Sequence, residues 1–373
     1  MQHSAGVSVS SGADPALRRL IREAIARNGG WLPFDRFMAL ALYAPGLGYY
    51  TNAGRKFGML PQSGSDFVTA PELSPLFGAA LARQLAQALA ASGTREVWEF
   101  GAGSGALAAQ LLGALGDSVE RYTIVDLSGV LRERQRERLA PFAPKLRWVD
   151  ELPAAMDGVI VGNEVLDAMP VQLLRFDGAH WHERGVTLDG DRFAWSERPA
   201  TQRPPGDASF PPGAVTETHA QAEAFVATLA ERLRRGAAFF IDYGFPRAEY
   251  QHPQRLEGTL MCHRAHQADS DPLGDIGQKD ITAHVDFTGI ALAAQDAGFD
   301  VIGYTSQAHF LINCGIVELL EGADVATSAN TQKLLMEHEM GELFKVIGLA
   351  KGCGERFAHE AVGFVHGDRT HTL

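Results

Sequence analysis

Apolar residues recur every three or four positions in the first part of the chain. In residues 16–25 and again in residues 32–42, this spacing places them on one face of a helix. A third stretch, rich in Ala and Leu, follows a start where Glu72 stands three positions after Thr69. That spacing is typical of a capping box at a helix N-terminus. The pattern therefore predicts a helical N-terminal region over residues 15–92.

The pattern then alternates between short β-prone runs and stretches of helical spacing. Helical spacing is clearest in residues 106–115 and 220–235. Strands alternating with helices are typical of an α/β fold built on a mostly parallel sheet. The strand-type runs of this sheet are residues 96–100, 122–125, 145–149, 158–162 and 237–241.

Residues 171–197 interrupt this alternation. Three short strand-type pieces are separated there by the dipeptides Asp177-Gly178 and Asp189-Gly190, which are typical of hairpin turns. We expect an antiparallel β-hairpin insertion in the core. This insertion is also our candidate for a homodimer contact.

The rest of the chain divides by composition. We expect a disordered tail at residues 1–14, the core at 93–245, a lid of low apolar content at 246–287, and completion of the core at 288–366. Within the last segment, the spacing predicts a helical insertion at 308–349. A final strand pair is expected to include residues 361–365.

A glycine loop at residues 101–105 connects the first strand of the predicted core to its helix. Glycines let the backbone turn tightly and approach a ligand, and the following helix directs free N–H groups toward it. Glu99 stands two residues before the loop, and Asp126 ends the next strand. An acid at that strand end can accept hydrogen bonds from ribose hydroxyls. The unit therefore predicts a pocket for an adenosine-bearing cofactor.

Two kinds of cofactor are consistent with this predicted pocket. With Ala106 in third place the loop fits G-x-G-x-x-A, a dinucleotide fingerprint, which would favour a dehydrogenase. However, a third glycine comes only two residues after the second, and a carboxylate near a buried strand tip needs a charged or hydrogen-bonding partner. S-adenosylmethionine offers an ammonium and a sulfonium, so Glu99 suits it better than a pyrophosphate. A glycine turn that binds nothing is the remaining alternative.

Candidate catalytic residues follow the strand-type run 158–162. Ligands of open α/β sheets bind beyond the carboxyl ends of the strands, so Asn163, Glu164 and Asp167 are expected beside the reacting group. The alternatives for Glu164 are capping of a helix or binding of the cofactor ammonium alone.

Composition and charge narrow the function classes. The 373 residues are 46% hydrophobic, enough for a full core, and no apolar run approaches the ~20 residues that cross a bilayer. The net charge of −12 argues against nucleic-acid binding. Three widely spaced cysteines, Cys262, Cys314 and Cys353, indicate neither disulfides nor a zinc site, and we expect a cytoplasmic protein. The Cys262-His263-x-x-His266 cluster has no fourth ligand at a usual spacing, so we predict no metal.

Several blocks together resemble the MidA-type methyltransferase family, a bacterial and mitochondrial group linked to assembly of respiratory complex I. The resemblance implies a class I methyltransferase sheet, Rossmann-like and mostly parallel with an antiparallel last strand, plus helical N-terminal and C-terminal additions. It also implies S-adenosylmethionine as cofactor and protein arginine as substrate, with a complex I core subunit as the candidate target. Asp126 replaces a glutamate that is frequent in the family. The blocks are residues 66–78, 99–105, 163–171, 241–244, 280–287 and 354–357.

With this resemblance, the candidate residues form two sets. Arginine is a poor nucleophile, and carboxylates that hold two of its nitrogens would orient it. For this catalytic role we expect Glu164 first, then Asp167 and Glu217. The predicted cofactor-binding residues are Glu99, Gly101, Ala102, Gly103, Gly105, Asp126, Leu127, Asp150, Asn163, Thr69, Pro71 and Glu72. Methylation of a small molecule or RNA, and a non-catalytic assembly factor that binds a partner protein, are the alternatives.

Overall fold

Helices and strands alternate through the computed structural model, which describes residues 15–52, 68–126, 128–206, 209–264 and 267–373. The tail predicted at residues 1–14 lies outside these ranges. The helices are α1 (Pro15–Arg27), α2 (Phe34–Tyr43), α3 (Ala70–Leu73), α4 (Pro75–Ser92), α5 (Ala106–Leu115), α6 (Gly129–Arg138), α7 (Ala220–Arg232), α8 (Arg247–Tyr250), α9 (Phe287–Asp296), α10 (Gln307–Asn313), α11 (Ile316–Leu319), α12 (Val325–Leu335) and α13 (Glu355–Glu360).

The strands form three separate sheets. They are β1 (Leu32–Pro33), β2 (Glu96–Phe100), β3 (Arg121–Val125), β4 (Leu146–Val149), β5 (Met156–Asn163), β6 (Gln172–Phe176), β7 (Trp181–Asp189), β8 (Arg192–Pro199), β9 (Val215–Thr218), β10 (Leu233–Phe245), β11 (Met261–Arg264), β12 (Gln267–Asp269), β13 (Asp280–Thr282), β14 (Val285–Asp286), β15 (Asp300–Ser306) and β16 (Phe344–Lys351).

The largest sheet carries the α/β fold. Its order is β15-β16-β10-β5-β2-β3-β4, with β14 paired to β10. Strands β4, β3, β2, β5 and β10 run parallel, and β16 lies antiparallel between β10 and β15. The predicted mostly parallel sheet with an antiparallel last strand is confirmed.

Helices cover both faces of this sheet. Successive residues of a strand point to opposite faces, so Phe239 of β10 packs under α4 and α5, whereas Phe240 packs under α7 and α9. From β2 the chain adds β3 and β4 on one side, then returns to add β5 on the other. Such a reversal opens a crevice at the carboxyl ends of the two central strands, where ligands of α/β sheets bind.

The second sheet contains the predicted hairpin insertion. Strands β6, β7 and β8 pair antiparallel in sequence, and β1 and β9 extend the sheet to five strands. Its inner face packs against α1 and α2, where Val186 and Leu173 meet Phe37 and Met38. The β-hairpin insertion and the helical N-terminal addition are therefore both present.

The segment predicted as a lid contains the third sheet, of order β12-β11-β13. Ile276, Ile281 and Ala283 are buried and join the core formed by α1, α2 and the second sheet. Lid movement, like the division of the chain into segments, stays a prediction. None of the helices in the described part of the chain combines the length and apolar character needed to span a bilayer.

The C-terminal region differs from the prediction in two places. Residues 344–349, predicted as helical, belong to β16, whose residues are buried on both faces. A continuous apolar run cannot distinguish a central strand from a buried helix. Residues 361–365, predicted as a strand, contain a short 3₁₀ turn. The Phe364 ring of this turn packs on the sheet at Gly303, where an added Cβ would lie 2.1 Å from the ring.

Candidate active site

A cavity of about 660 Å³ lies at the carboxyl ends of β2 and β5, where the strand order reverses. The glycine loop forms one wall, and residues that follow β5 form another. Among the described residues that line it there is no Lys or Arg, whereas five carboxylates line it. These are Glu99, Asp126, Glu164, Asp167 and Asp280.

The glycine loop has the backbone conformation that its sequence predicts. Gly101, Gly103 and Gly105 have φ values of 63°, 52° and 81°, in the left-handed region that favours glycine. An added Cβ on Gly101 would lie 3.0 Å from Cγ2 of Val165. The loop therefore approaches the residues after β5 closely. Helix α5 begins behind it, and its first N–H groups have no acceptors within the helix.

Glu99 lies at the end of β2 with only 2% of its surface exposed. Its Oε2 accepts a 2.8 Å hydrogen bond from the Tyr122 hydroxyl. Burial raises the pKa of the Glu99 carboxyl to about 8, and the Tyr122 hydrogen bond opposes this only in part. A cation in the cavity would stabilise the ionised form.

Asp126 ends β3 and lines the same cavity. Its Oδ1 accepts from the Ser128 N–H at 2.9 Å, and its Oδ2 accepts from Gln135 Nε2 at 2.8 Å. Gln135 also donates to the Gly103 carbonyl at 3.0 Å, so it ties the acid to the loop. Gln135 was not among the predicted site residues, because alternating Arg and Glu in α6 are typical of a helix face exposed to solvent. Leu127, also a predicted cofactor residue, lies outside the described residues.

Asp150 and Glu72 differ from the prediction that they contact the cofactor. Asp150 has an 80% exposed side chain paired with Arg132, and it is not part of the cavity wall. Glu72 sits behind the loop, where its Oε1 accepts from Arg138 at 2.8 Å and from the Ser104 hydroxyl. In contrast, Thr69 and Pro71 do line the cavity. The Thr69 side chain makes no capping hydrogen bond, so the predicted capping box is wrong.

Glu164 directly follows β5 and has a left-handed φ of 54°. Non-glycine residues adopt this conformation rarely, and such strain concentrates at functional sites. Its Oε1 accepts from Asn163 Nδ2 at 2.8 Å. Burial, and then the negative charge of Asp242, raise the pKa of the Glu164 carboxyl to about 8.

Asp167 and Asn163 present unused acceptors in the cavity wall. The Oδ1 atoms of both side chains are buried and have no hydrogen-bond partner among the described residues. Burial, followed by repulsion from Asp242, Asp280 and Glu164, raises the pKa of Asp167 well above its usual range. Acceptors that have no partner among the described residues, and that lie close to several acids, fit a cationic ligand with N–H donors. The ammonium of S-adenosylmethionine meets this requirement, and its sulfonium adds a second positive charge.

Glu217 does not belong with these residues, although it was predicted to be catalytic. It is buried away from the cavity wall. Its Oε1 accepts from the N–H groups of Thr259 and Leu260, at 2.7 and 3.1 Å, and its Oε2 accepts from the Tyr250 hydroxyl at 2.7 Å. These contacts give Glu217 a structural role at the base of the 246–287 segment.

Three tyrosines complete the cavity and were missing from the predicted site. Tyr43 and Tyr50 stack with ring centroids 5.6 Å apart, and Tyr243 lies in the wall with them. The Tyr50 hydroxyl donates to Asp280 Oδ2 at 2.7 Å. The signal for the first two was the aromatic, glycine-rich stretch at residues 43–50. Only the folded chain brings it to Tyr243 and Asp280.

The candidate metal cluster does not assemble in the described residues. No group of three His, Cys, Asp or Glu side chains there has the arrangement of a metal site. Cys262 is buried in β11, and His263 lines the cavity. His266 lies outside the described residues.

The sheet order, the glycine loop and the acids at both strand ends define a class I S-adenosylmethionine-dependent methyltransferase. The chain belongs to the family described as "Putative S-adenosyl-L-methionine-dependent methyltransferase", whose model matches residues 80–305. S-adenosylmethionine is therefore its cofactor.

Solved structures agree with this assignment. A protein from Burkholderia thailandensis, crystallised with S-adenosyl-homocysteine, is 49% identical, covers 100% of both chains and superposes with a TM-score of 0.93. A native crystal structure from the same organism is 48% identical, again with 100% coverage of both chains and a TM-score of 0.88.

Curated relatives are more distant. The Danio rerio protein arginine methyltransferase NDUFAF7, mitochondrial, is 28% identical over 88% of this chain and 85% of that protein. The Caenorhabditis elegans homologue of the same name is 26% identical over 87% of this chain and 84% of its own. Both are named as mitochondrial, which contradicts the cytoplasmic location predicted from the sequence.

Proposed function

We propose that the chain transfers a methyl group from S-adenosylmethionine to an arginine side chain of a protein. The observation that carries this proposal is the excess of acids in the cavity. Glu164 and Asp167 lie beyond those needed at the glycine loop, and no described Lys or Arg in the wall balances them. A guanidinium supplies the missing positive charge together with five N–H donors. The relatives named as protein arginine methyltransferases support the same acceptor.

One set of residues holds the cofactor in this proposal. Glu99 and Asn163 bind its ammonium, and Asp126 accepts hydrogen bonds from its ribose hydroxyls. The backbone of the glycine loop and the start of α3 surround the rest. The full set is Glu99, Gly101, Ala102, Gly103, Gly105, Asp126, Asn163, Thr69 and Pro71.

A second set holds the acceptor. When bound, S-adenosylmethionine supplies an electrophilic methyl group on its sulfonium. Glu164 and Asp167 each accept N–H bonds from the guanidinium, which fixes one nitrogen in line with that methyl group. As the new N–C bond forms and the C–S bond breaks, one N–H proton must leave the guanidinium. In this proposal the proton goes to Asp167 Oδ1, which has no hydrogen-bond partner among the described residues.

The tyrosines exclude water and favour a flat cation. Tyr43 and Tyr50 stack on each other beside Asp280, and an aromatic face attracts a guanidinium. Arginine fits such a wall better than lysine because its planar group combines stacking with bidentate hydrogen bonds.

The finer identity of the acceptor follows from the family resemblance alone. On that basis we propose a subunit of a complex I-type respiratory assembly as the methylated protein. The homodimer contact on residues 171–197 stays a prediction.

The test is to follow a labelled methyl group. The protein is incubated with S-adenosylmethionine carrying a tritiated methyl group and a lysate of cells that lack this chain. The lysate is then separated into protein, RNA and small molecules. We expect the label in protein, and less of it with the Glu164→Gln variant. Label confined to RNA or small molecules would reject the proposal. A partner protein that binds without any methyl transfer would instead support an assembly factor.

A further inference from the structure

We propose that Asp242 is a positioning residue, which holds the turn after β5 so that Glu164 and Asp167 face the acceptor. The proposal rests on the proposed function, because it assigns a task to Glu164 and Asp167. Asp242 itself is not part of the cavity wall and is 1% exposed. It therefore acts through its neighbours and does not touch the acceptor.

The carboxylate of Asp242 caps three successive backbone amides. Its Oδ2 accepts from the N–H groups of Val165, Leu166 and Asp167 at 3.0, 2.8 and 3.3 Å. Its Oδ1 accepts from the N–H of Tyr243 at 2.9 Å. Successive amides that converge on one point form an anion-binding nest. Asp242 supplies the carboxylate from the neighbouring strand; burial raises its pKa to about 7, and the hydrogen bonds from these amides favour its ionised form.

The turn needs such an anchor because its backbone is strained. β5 and β10 are paired up to Asn163 and Ile241, and the Glu164 N–H still donates to the Ile241 carbonyl at 2.9 Å. At Glu164 the chain enters the left-handed region, and this conformation persists only when its surroundings enforce it. The Asp242 carboxylate stabilises it by accepting hydrogen bonds from the N–H groups of the next three residues.

Asp242 also acts on the charge of Glu164. Its negative charge is the largest electrostatic contribution, after burial, to the raised pKa of Glu164. Asp280 raises this pKa as well, while the hydrogen bond from Asn163 lowers it. Among the described residues, Asp167 and Tyr243 are further titratable groups that interact with Glu164. Removal of the Asp242 charge should therefore let Glu164 ionise at lower pH.

Two substitutions separate the effect of the position of the Asp242 carboxylate from the effect of its charge. Asp242→Asn keeps the shape of the side chain but replaces one carboxylate oxygen by an NH₂ group, which is a donor. Either the three amides of residues 165–167 or the N–H of Tyr243 then faces a donor where it had an acceptor. Asp242→Glu keeps the charge but displaces the carboxylate by one methylene group. Glu217→Gln is the matched control, because Glu217 is also a buried carboxylate that caps successive amides but lies away from the cavity.

The measurements are kcat and KM for methyl incorporation into lysate protein, the pH–rate profile, and calorimetric affinity for S-adenosyl-homocysteine. We expect kcat to fall at least about tenfold in both Asp242 variants, with cofactor affinity changed by less than about threefold. In Asp242→Asn the acidic limb of the profile should also move to lower pH. In Glu217→Gln this limb should stay in place.

A kcat within threefold of wild type in Asp242→Glu, or an unmoved acidic limb in a folded Asp242→Asn, would overturn the positioning role. If Asp242→Asn fails to fold, Asp242→Glu alone decides. The Glu164 carboxyl can also be titrated by carbon NMR without any acceptor, with Glu164→Gln to assign its signal. This separates the two claims: a wild-type enzyme that labels no arginine refutes the proposed function, whereas an unchanged Glu164 titration in Asp242→Asn refutes the inference.

Discussion

Carboxylates that burial affects and that have no basic partner among the described residues set the chemistry at the scale of single residues. Glu99 and Glu164 both have pKa values raised to about 8, and in both burial is the main cause. A folded protein tolerates such groups when a ligand supplies the opposite charge. Glu99 lies on β2 before the glycine loop, and Glu164 directly follows β5, the strand that pairs parallel with β2. They therefore indicate two neighbouring positions for positive charge in one cavity.

The first prediction concerns the pH dependence of stability. Between the unfolded pKa of Glu164, 4.5, and its folded value of about 8, the folded state binds more protons, so stability falls as pH rises. Glu164→Gln removes this loss. We compare the unfolding free energy of the variant with that of wild type, both without cofactor. This difference should shift in favour of the variant by on the order of 2 kcal/mol from pH 5 to pH 9, a figure that allows for partial solvent contact of the carboxyl. Urea denaturation at both pH values measures it, and an equal difference at both would contradict it.

The second prediction concerns the cofactor. Glu99→Gln should weaken S-adenosylmethionine binding about tenfold, because the carboxylate that we propose to bind the ammonium is lost. Glu96→Gln is the control, since Glu96 lies at the other end of β2, where it pairs with Arg147 at 2.9 Å. Titration calorimetry compares the two variants. Equal losses of affinity would show that Glu99 acts only through the strand.

At the scale of elements, a clamp joins α3, the glycine loop and α6. Arg138 of α6 donates to Glu72 of α3 at 2.8 Å and to the Ser104 hydroxyl of the loop at 2.7 Å. Gln110 of α5 adds a second tie, since it donates to the Pro71 carbonyl at 2.7 Å. The short helix α3, which carries the cavity residue Pro71 and directly follows Thr69, is thus held over the loop from behind.

This clamp yields the third prediction. Arg138→Ala should speed dissociation of the cofactor up to about fivefold, because a half-exposed ion pair contributes up to about 1 kcal/mol. Arg136→Ala, on the same helix but paired within it to Glu133, should leave the dissociation rate unchanged. Stopped-flow fluorescence measures both rates. Similar rates in the two variants would show that the clamp does not restrain α3.

Local signals in the sequence predicted the elements that depend on neighbouring residues. The glycine loop and the hairpin turns follow from backbone preferences of one or two residues, so both are present. Strand β16 was predicted as part of a helix, because its continuous apolar run suits a buried helix as well as a central strand. In the site, Glu164 and Asp167 follow from their place after a strand. Gln135, Asp242 and Tyr243 could not be predicted, since their contacts arise only when distant segments pack. Glu217 is an acid that was also predicted to be catalytic, but its hydrogen bonds hold the backbone of Thr259 and Leu260 and do not face the cavity.

At the scale of the whole molecule, close contact between two glycines determines the pairing of β5 and β10. An added Cβ on Gly236 would lie 1.7 Å from the Gly158 carbonyl oxygen. Gly236→Ala should therefore destabilise the protein by about 3 kcal/mol or more. Gly190→Ala is the control, because its φ is also positive but nothing lies within 4 Å of an added Cβ. It should cost about 1 kcal/mol. Urea denaturation compares them, and equal costs would contradict this account of the pairing.

At this scale, the cofactor cavity on the central sheet adjoins the proposed acceptor site, which three other parts of the chain close. The N-terminal tyrosines, the turn after β5 and the end of the 246–287 segment meet at Asp280 and Glu164. In the proposed function, the second site determines which acceptor can be methylated.

The most direct test of this account is tandem mass spectrometry of the acceptor protein isolated after reaction with wild type and with Glu164→Gln. We predict methyl groups on an arginine side chain with the wild-type enzyme, and at least about tenfold less modification with the variant. Methyl groups on lysine, on a carboxylate or on a non-protein acceptor, or arginine methylation that is equal for both enzymes, would contradict it.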